Sequence, residues 1–150
     1  MLEIKTKDKI GINGIHKFIF RDVKTNEILR VKTYKNLIVN VGKNMIAKRL
    51  AGTANACDIT HGAVGTGAGT PAVGDTTLFT ELDRVAVTAI SASGAVVNVV
   101  CFFGASDGNG TLTNYGLFAE IGVTMLNHVL ISETKTSSET LTVESKITIA

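Results

Sequence analysis

The chain has 150 residues, a size at which one domain buries about two-thirds of its unfolded surface without disulfides or metals to staple it. With 45% hydrophobic and 19% charged residues it is not a disordered chain, and no apolar run reaches the ~18 residues that span a bilayer. The net charge of +2 conceals a split: residues 1–50 hold twelve Lys and Arg against four Asp and Glu, whereas residues 51–150 hold three against nine.

Residues 1–14 are polar and mixed and end in a Gly-x-x-Gly step, so they read as an N-terminal arm ordered only by what holds it. The first residues lack the apolar core of a secretion signal, and the chain is expected to be made in a reducing cytoplasm. His16–Val23 reads as a strand, Lys24–Glu27 as a polar turn, and Ile28–Tyr34 as the returning strand of a hairpin with one charged face. Asn36–Val39 reads as a further short strand.

One helix is expected, over Val41–Ala51, with Asn40 as N-cap and Gly52 as the stop. Val41, Met45, Ile46 and Leu50 form its apolar side, and Lys48 and Arg49 suit its last turn. Beyond residue 53 the texture turns to Gly, Ala, Thr and Val. His61–Val64 reads as a small-residue strand running into the Gly65–Pro71 loop. Two strong strands follow, Arg84–Ile90 and Ala95–Phe103, joined by a turn at Ser91–Gly94. The second is apolar on both faces, which places it centrally in a sandwich or in a subunit contact. Val97, Val99 and Phe103 are the interface candidates it supplies. Gly104–Thr111 reads as an exposed loop, Tyr115–Ile121 and Thr124–Ile131 as strands, and Ser132–Glu139 as a polar connection. Residues 141–149 alternate apolar and polar more cleanly than any other segment, which predicts a strand with one wet and one dry face.

No catalytic, cofactor-binding or metal-binding constellation emerges. The Gly65–Gly69 loop lacks the Gly-Lys-Ser/Thr ending of a phosphate loop and opens no long helix. Asp75, Glu81 and Asp83 lack the calcium-loop spacing. Asp75 is expected to cap the turn that starts at Thr76, and Glu81 to pair with Arg84 three residues on. His16, His61 and His128 are isolated, and the better reading of His128 is a hydrogen-bonded interior or interface histidine. Cys57 and Cys101 have no zinc-ligand spacing and read as buried thiols, with a disulfide left open. Nucleic acid is a poor fit to the basic end, because aromatic residues interleave it only at Phe18, Phe20 and Tyr34.

The segment Asp75-Thr76-Thr77-Leu78-Phe79-Thr80-Glu81-Leu82-Asp83-Arg84, followed by Gly116-Leu117-Phe118, resembles tail-collar fibre and related tail-associated domains of tailed bacteriophages. In those proteins a Thr-Thr-Leu segment with Glu and Arg precedes a Gly-Leu-Phe segment. Leu78, Glu81, Arg84, Gly116, Leu117 and Phe118 stand at matching positions, while Asn114-Tyr115 replaces an acidic-aliphatic pair. The resemblance spans roughly residues 60–150. It implies a non-enzymatic virion structural protein that assembles with itself and attaches to a larger virion component in the tail. The alternatives are a capsid decoration or head-fibre protein, and a receptor- or carbohydrate-binding module, which the lack of Trp disfavours. The expected fold is mainly β: one antiparallel sandwich or jelly-roll-like barrel over residues 15–150 with one short α-helix. The charge split points to Lys5, Lys7 and Lys9 of the arm as contacts to an acidic neighbouring surface.

Overall fold

The computed structural model describes residues 10–53 and 58–150; Lys5, Lys7, Lys9 and Cys57 lie outside them. The elements run β1 (Ile12–Asp22), β2 (Ile28–Lys35), β3 (Leu37–Ile38), α1 (Asn40–Ala51), β4 (Ile59–Gly65), β5 (Glu81–Ser93), β6 (Val96–Phe103), β7 (Gly110–Ala119), β8 (Thr124–Met125), β9 (Asn127–Lys135) and β10 (Glu139–Ile149). The fold is mainly β with one short helix, as the alternating patterns predict.

The strand pairings are antiparallel, and the order is β2-β1-β10-β6-β5-β4-β7-β9-β3, with β8 on the side of β7. Strand β5 turns the corner. Its first half pairs with β4, from Gly65↔Glu81 to His61↔Ala86. Its second half pairs with β6, from Val87↔Cys101 to Ser93↔Val96. The sheet thus folds back on itself into a nearly closed, barrel-like sandwich. Inward-facing Phe18 and Phe20 of β1, Val99 and Phe103 of β6, Tyr115 and Leu117 of β7, and Leu141 and Val143 of β10 form the main core. Burial in β10 alternates along the strand, as its sequence pattern predicts.

The remaining gap, between β2 and β9, is closed by side chains. The Arg30 guanidinium donates to Glu139 at 2.9 and 3.1 Å, to Glu133 at 3.5 Å and to the Thr134 carbonyl at 2.6 Å. It also lies over the Phe20 ring, 3.7 Å from the centroid. The Tyr34 hydroxyl donates to Glu133 at 2.9 Å. Burial pushes the Glu139 carboxyl up, but hydrogen bonds from Arg30 and from the Thr136 amide outweigh it and hold the pKa below its usual value.

Several boundaries differ from the sequence reading. Strand β1 takes in residues 12–14, because Ile12 pairs with Ile149 and Gly14 with Ile147. Helix α1 starts at Asn40 with Val39 as N-cap and no side-chain cap. The Asn40 amide donates instead to the Val73 carbonyl at 2.7 Å. Gly52 does end the helix, in the left-handed conformation at φ 67°. Leu50 points away from the core and is 86% exposed, whereas Met45 is buried. Strand β7 begins at Gly110 and stops at Ala119, where Glu120, Ile121 and Gly122 all take positive φ. The expected polar connection over 132–139 is mostly strand, since β9 runs to Lys135 and β10 starts at Glu139.

Candidate assembly surface

The two segments that carry the family resemblance meet across β4. Ala63 pairs with Arg84 on one side and with Gly116 on the other, so these three residues lie side by side on one face of the sheet. Arg84 donates to both Glu81 oxygens, at 3.1 and 2.7 Å, and to the Gly122 carbonyl. Its guanidinium covers the Phe118 ring, 4.0 Å from the centroid. Leu78 and Phe118 pack with Val39, Ala63 and Met125 into a second, smaller core. Gly116 is required there: a Cβ would come within 2.9 Å of the Asn127 carbonyl oxygen and 3.2 Å of Leu78. Leu117 faces the other way, into the main core. The expected Glu81–Arg84 pair is therefore present. Its third partner is the Gly122 carbonyl, in the turn after β7. That turn carries two exposed aliphatic residues, Ile121 and Val123.

Asp75 does not cap the turn after it. Its carboxylate accepts from the preceding Ala72 amide at 2.8 Å and hydrogen-bonds His128 Nδ1 at 2.7 Å. The Ala72 bond, with help from His128, lowers its pKa. His128 Nε2 meets Asn114 Oδ1 at 2.8 Å. Asn114 in turn accepts from the Phe79 amide and donates to the Phe79 carbonyl, at 2.9 and 3.0 Å. Asn114, His128 and Asp75 so tie the 66–80 loop onto β7 and β9. The His128 side chain is fully buried, and both ring nitrogens are taken. This chain of groups holds the loop in place. The glycines of the loop serve close packing: Cβ atoms at Gly65, Gly67 and Gly69 would all strike Phe79 within 3 Å.

A second buried polar set joins β1 to β10. His16 Nε2 donates to Asn36 Oδ1 at 2.8 Å, and Nδ1 meets the Ser145 hydroxyl at 2.6 Å. Burial lowers the His16 pKa to about 4, against the opposing hydrogen bond to Asn36, so the ring is neutral in the folded protein near pH 7. Cys101 and the Tyr115 hydroxyl crowd the bare face of Gly62, and burial raises the pKa of both. Among the described residues no group of three or more His, Cys, Asp or Glu could hold a metal ion, and no helix is long and apolar enough to cross a membrane.

The interface candidates need correction. Val99 and Phe103 are buried in the protein's own core, and Val97 packs against it. Register with Leu141 and Ile147 of β10 turns that set inward. The opposite set, Val96, Asn98, Val100 and Phe102, faces out, with Phe102 46% exposed. From Val85 to Ser106 the chain carries no charged residue, so this part of the β5–β6 hairpin adds no charge to its outer face, whereas β1, β2, β9 and β10 bear Lys, Arg or Glu and β10 sets Glu144 and Lys146 opposite Val100 and Asn98. Next to it, at the open end of the sandwich, lies an apolar groove of about 250 Å³ lined by Ile90, Val97, Ile147, Ile149 and residues of α1.

Part of the charge split is used within the chain. Arg30 pairs with Glu133 and Glu139, Lys48 with Glu120, and Arg49 with Asp58, each pair joining the basic first third to the acidic remainder. No family model matches the chain, and comparisons with curated proteins and with solved structures find no match.

Proposed function

We propose that this protein is a non-enzymatic building block of a tailed-phage particle, assembling with itself and attaching to a larger component on the tail side. The observation that carries this reading is the outer face of the β5–β6 hairpin, which contributes no charge from Val85 on and leaves Phe102 exposed near the end of β6. An uncharged hairpin with an exposed aromatic side chain suits a contact with another protein. The contact between Leu78, Arg84, Gly116 and Phe118 adds support, because the residues shared with tail-associated domains act there as one structural unit. Asp75, Asn114, His128 and His16 spend their side-chain hydrogen bonds within the fold.

The test is mass spectrometry of purified particles together with antibody labelling seen by electron microscopy. Label at the tail or baseplate is the expected result. Label on the capsid would transfer the protein to the decoration class. Absence from particles that contain every other structural protein would overturn the proposal.

A further inference from the structure

We infer that two copies of the chain join edge to edge through the second half of β5, in an antiparallel pairing about a two-fold axis near Ser91. This extends the assembly reading by naming the first contact, and it rests on that reading only for its biological setting.

The geometry begins with the corner strand. Pairing with β4 stops at Ala86, while pairing with β6 continues to Ser93. Beyond Ala86, among the described residues, no strand occupies the other edge of β5. A bulge at Thr88 leaves Ala89–Ser93 as a regular edge whose outward N–H and C=O groups pair in no ladder among the described residues. Such an edge is a template for another strand. Proteins that must keep an edge apart place Lys, Pro or inward-pointing charges along it. The outer strand at the far end of the sheet, β2, carries Arg30, Lys32 and Lys35. The β5 edge carries none of these devices: it reads Ala89-Ile90-Ser91-Ala92-Ser93.

The occupant follows from charge and size. The strand itself carries no charge, and the charges on the groove beside it, Arg49 and Asp58, pair with each other, so the edge gives a charged strand no free counter-ion, whereas its own copy matches it. In the antiparallel arrangement centred on Ser91, Ala89 faces Ser93 and Ile90 faces Ala92. Residues directly opposite share a face, so each large side chain meets a small one. Ile90 and Ala92 pair with Val99 and Val97, so they lie on the inward side. Ile90, 47% exposed, lines the apolar groove, and Leu50 and Ile149 on its margin are exposed as well. Edge pairing alone buries less than the roughly 1,000 Å² of a stable interface. The two-fold copy brings a second groove and a second apolar margin to the same axis, so the contact is self-complementary.

The experiment is sedimentation equilibrium of the full chain and of variants at the axis, with circular dichroism to check the fold. Wild type should dimerise. Ser91→Lys places like charges opposite each other and should weaken the dimer by about tenfold or more. Ser91→Glu should do the same, and an equimolar mixture of the two should recover association. A wild-type chain that stays monomeric at high concentration overturns the inference. So does a dimer indifferent to both Ser91 variants, or one that Phe102→Lys abolishes while the Lys/Glu mixture fails to recover, which would assign the contact to the sheet face. A dimer that forms only after removal of residues 1–9 also overturns it, because the arm would then be covering the edge. Each result is read in solution without particles, so failure here leaves the particle test standing.

Discussion

Replacing Arg30 with Met removes the group that closes the sandwich between β2 and β9. The two carboxylates it serves are nearly enclosed, with side chains 5% and 7% exposed, while Arg30 itself is 32% exposed. Removing one partner of a fully buried pair costs about 3–5 kcal/mol. Water reaches this pair from the Arg30 side, which reduces that term to about 2–3 kcal/mol. Loss of the guanidinium over Phe20 adds about 0.5–1 kcal/mol. The expected loss is therefore about 3 kcal/mol at pH 7, read as a lower urea midpoint with an unchanged slope. Glu139 has a depressed pKa in the folded state, so its stabilisation is present above the ordinary carboxylate range and is lost as pH falls through the folded value. The penalty of Arg30→Met should shrink in the same direction. Adding Glu133→Gln and Glu139→Gln should restore at least half of the loss, because no buried charge is then stranded. A loss below about 1 kcal/mol, or no recovery in the triple variant, would refute the view that this ion cluster closes the fold.

Arg84→Ala should cost about 1–2 kcal/mol, from the lost Gly122 bond and the lost cover of Phe118. Hydrogen exchange should rise first at amides 120–123, and uniform loosening would argue against a local anchor. Arg84→Lys should not rescue it, since an ammonium cannot match the two-oxygen grip on Glu81. His16 has a folded pKa of about 4, below its ordinary value of 6.5. The unfolded chain therefore binds the extra proton between those values, and stability should fall by about 3 kcal/mol as pH drops from 6.5 to 4. His16→Gln should flatten that slope; an unchanged slope would remove His16 as its source. Gly42→Ala should destabilise by about 1–3 kcal/mol, although helix propensity alone predicts a gain of about 1 kcal/mol. The new Cβ would lie 2.4 Å from the Leu126 carbonyl oxygen, and a thermal melt decides the sign.

What could be read from the sequence depended on local contrast. The alternation in β10 and the hairpin of β1 and β2 were plain, because apolar residues alternate with charged ones there. Gly52 and the Glu81–Arg84 pair were plain because both act within a few residues of themselves. The β5 edge was hidden, since Ala and Ser look alike whether buried or exposed. In β6 the two parities differ only at Asn98 in polarity, and pairing with β10 is what turns Val99 and Phe103 inward and Phe102 outward. The cap of α1 was misplaced because the Val73 carbonyl, more than thirty residues away, does the work expected of an Asn40 side chain. Glu133 and Glu139 read as part of a polar connection because their partner Arg30 lies over a hundred residues earlier.

The central position of β10 governs when the protein can finish folding. Its neighbours β1 and β6 are synthesised first, and Ile12 waits for Ile149. Until residues 139–149 have emerged, both strands hold an open edge and the hydrophobic residues of β1 lack a floor. Closing so long a loop is slow, and the unfinished sheet is the species most exposed to pairing with a wrong chain. A nascent chain stalled before residue 139 should thus be captured by chaperones or aggregate, while one that has passed residue 149 should fold and keep the β5 edge free for assembly.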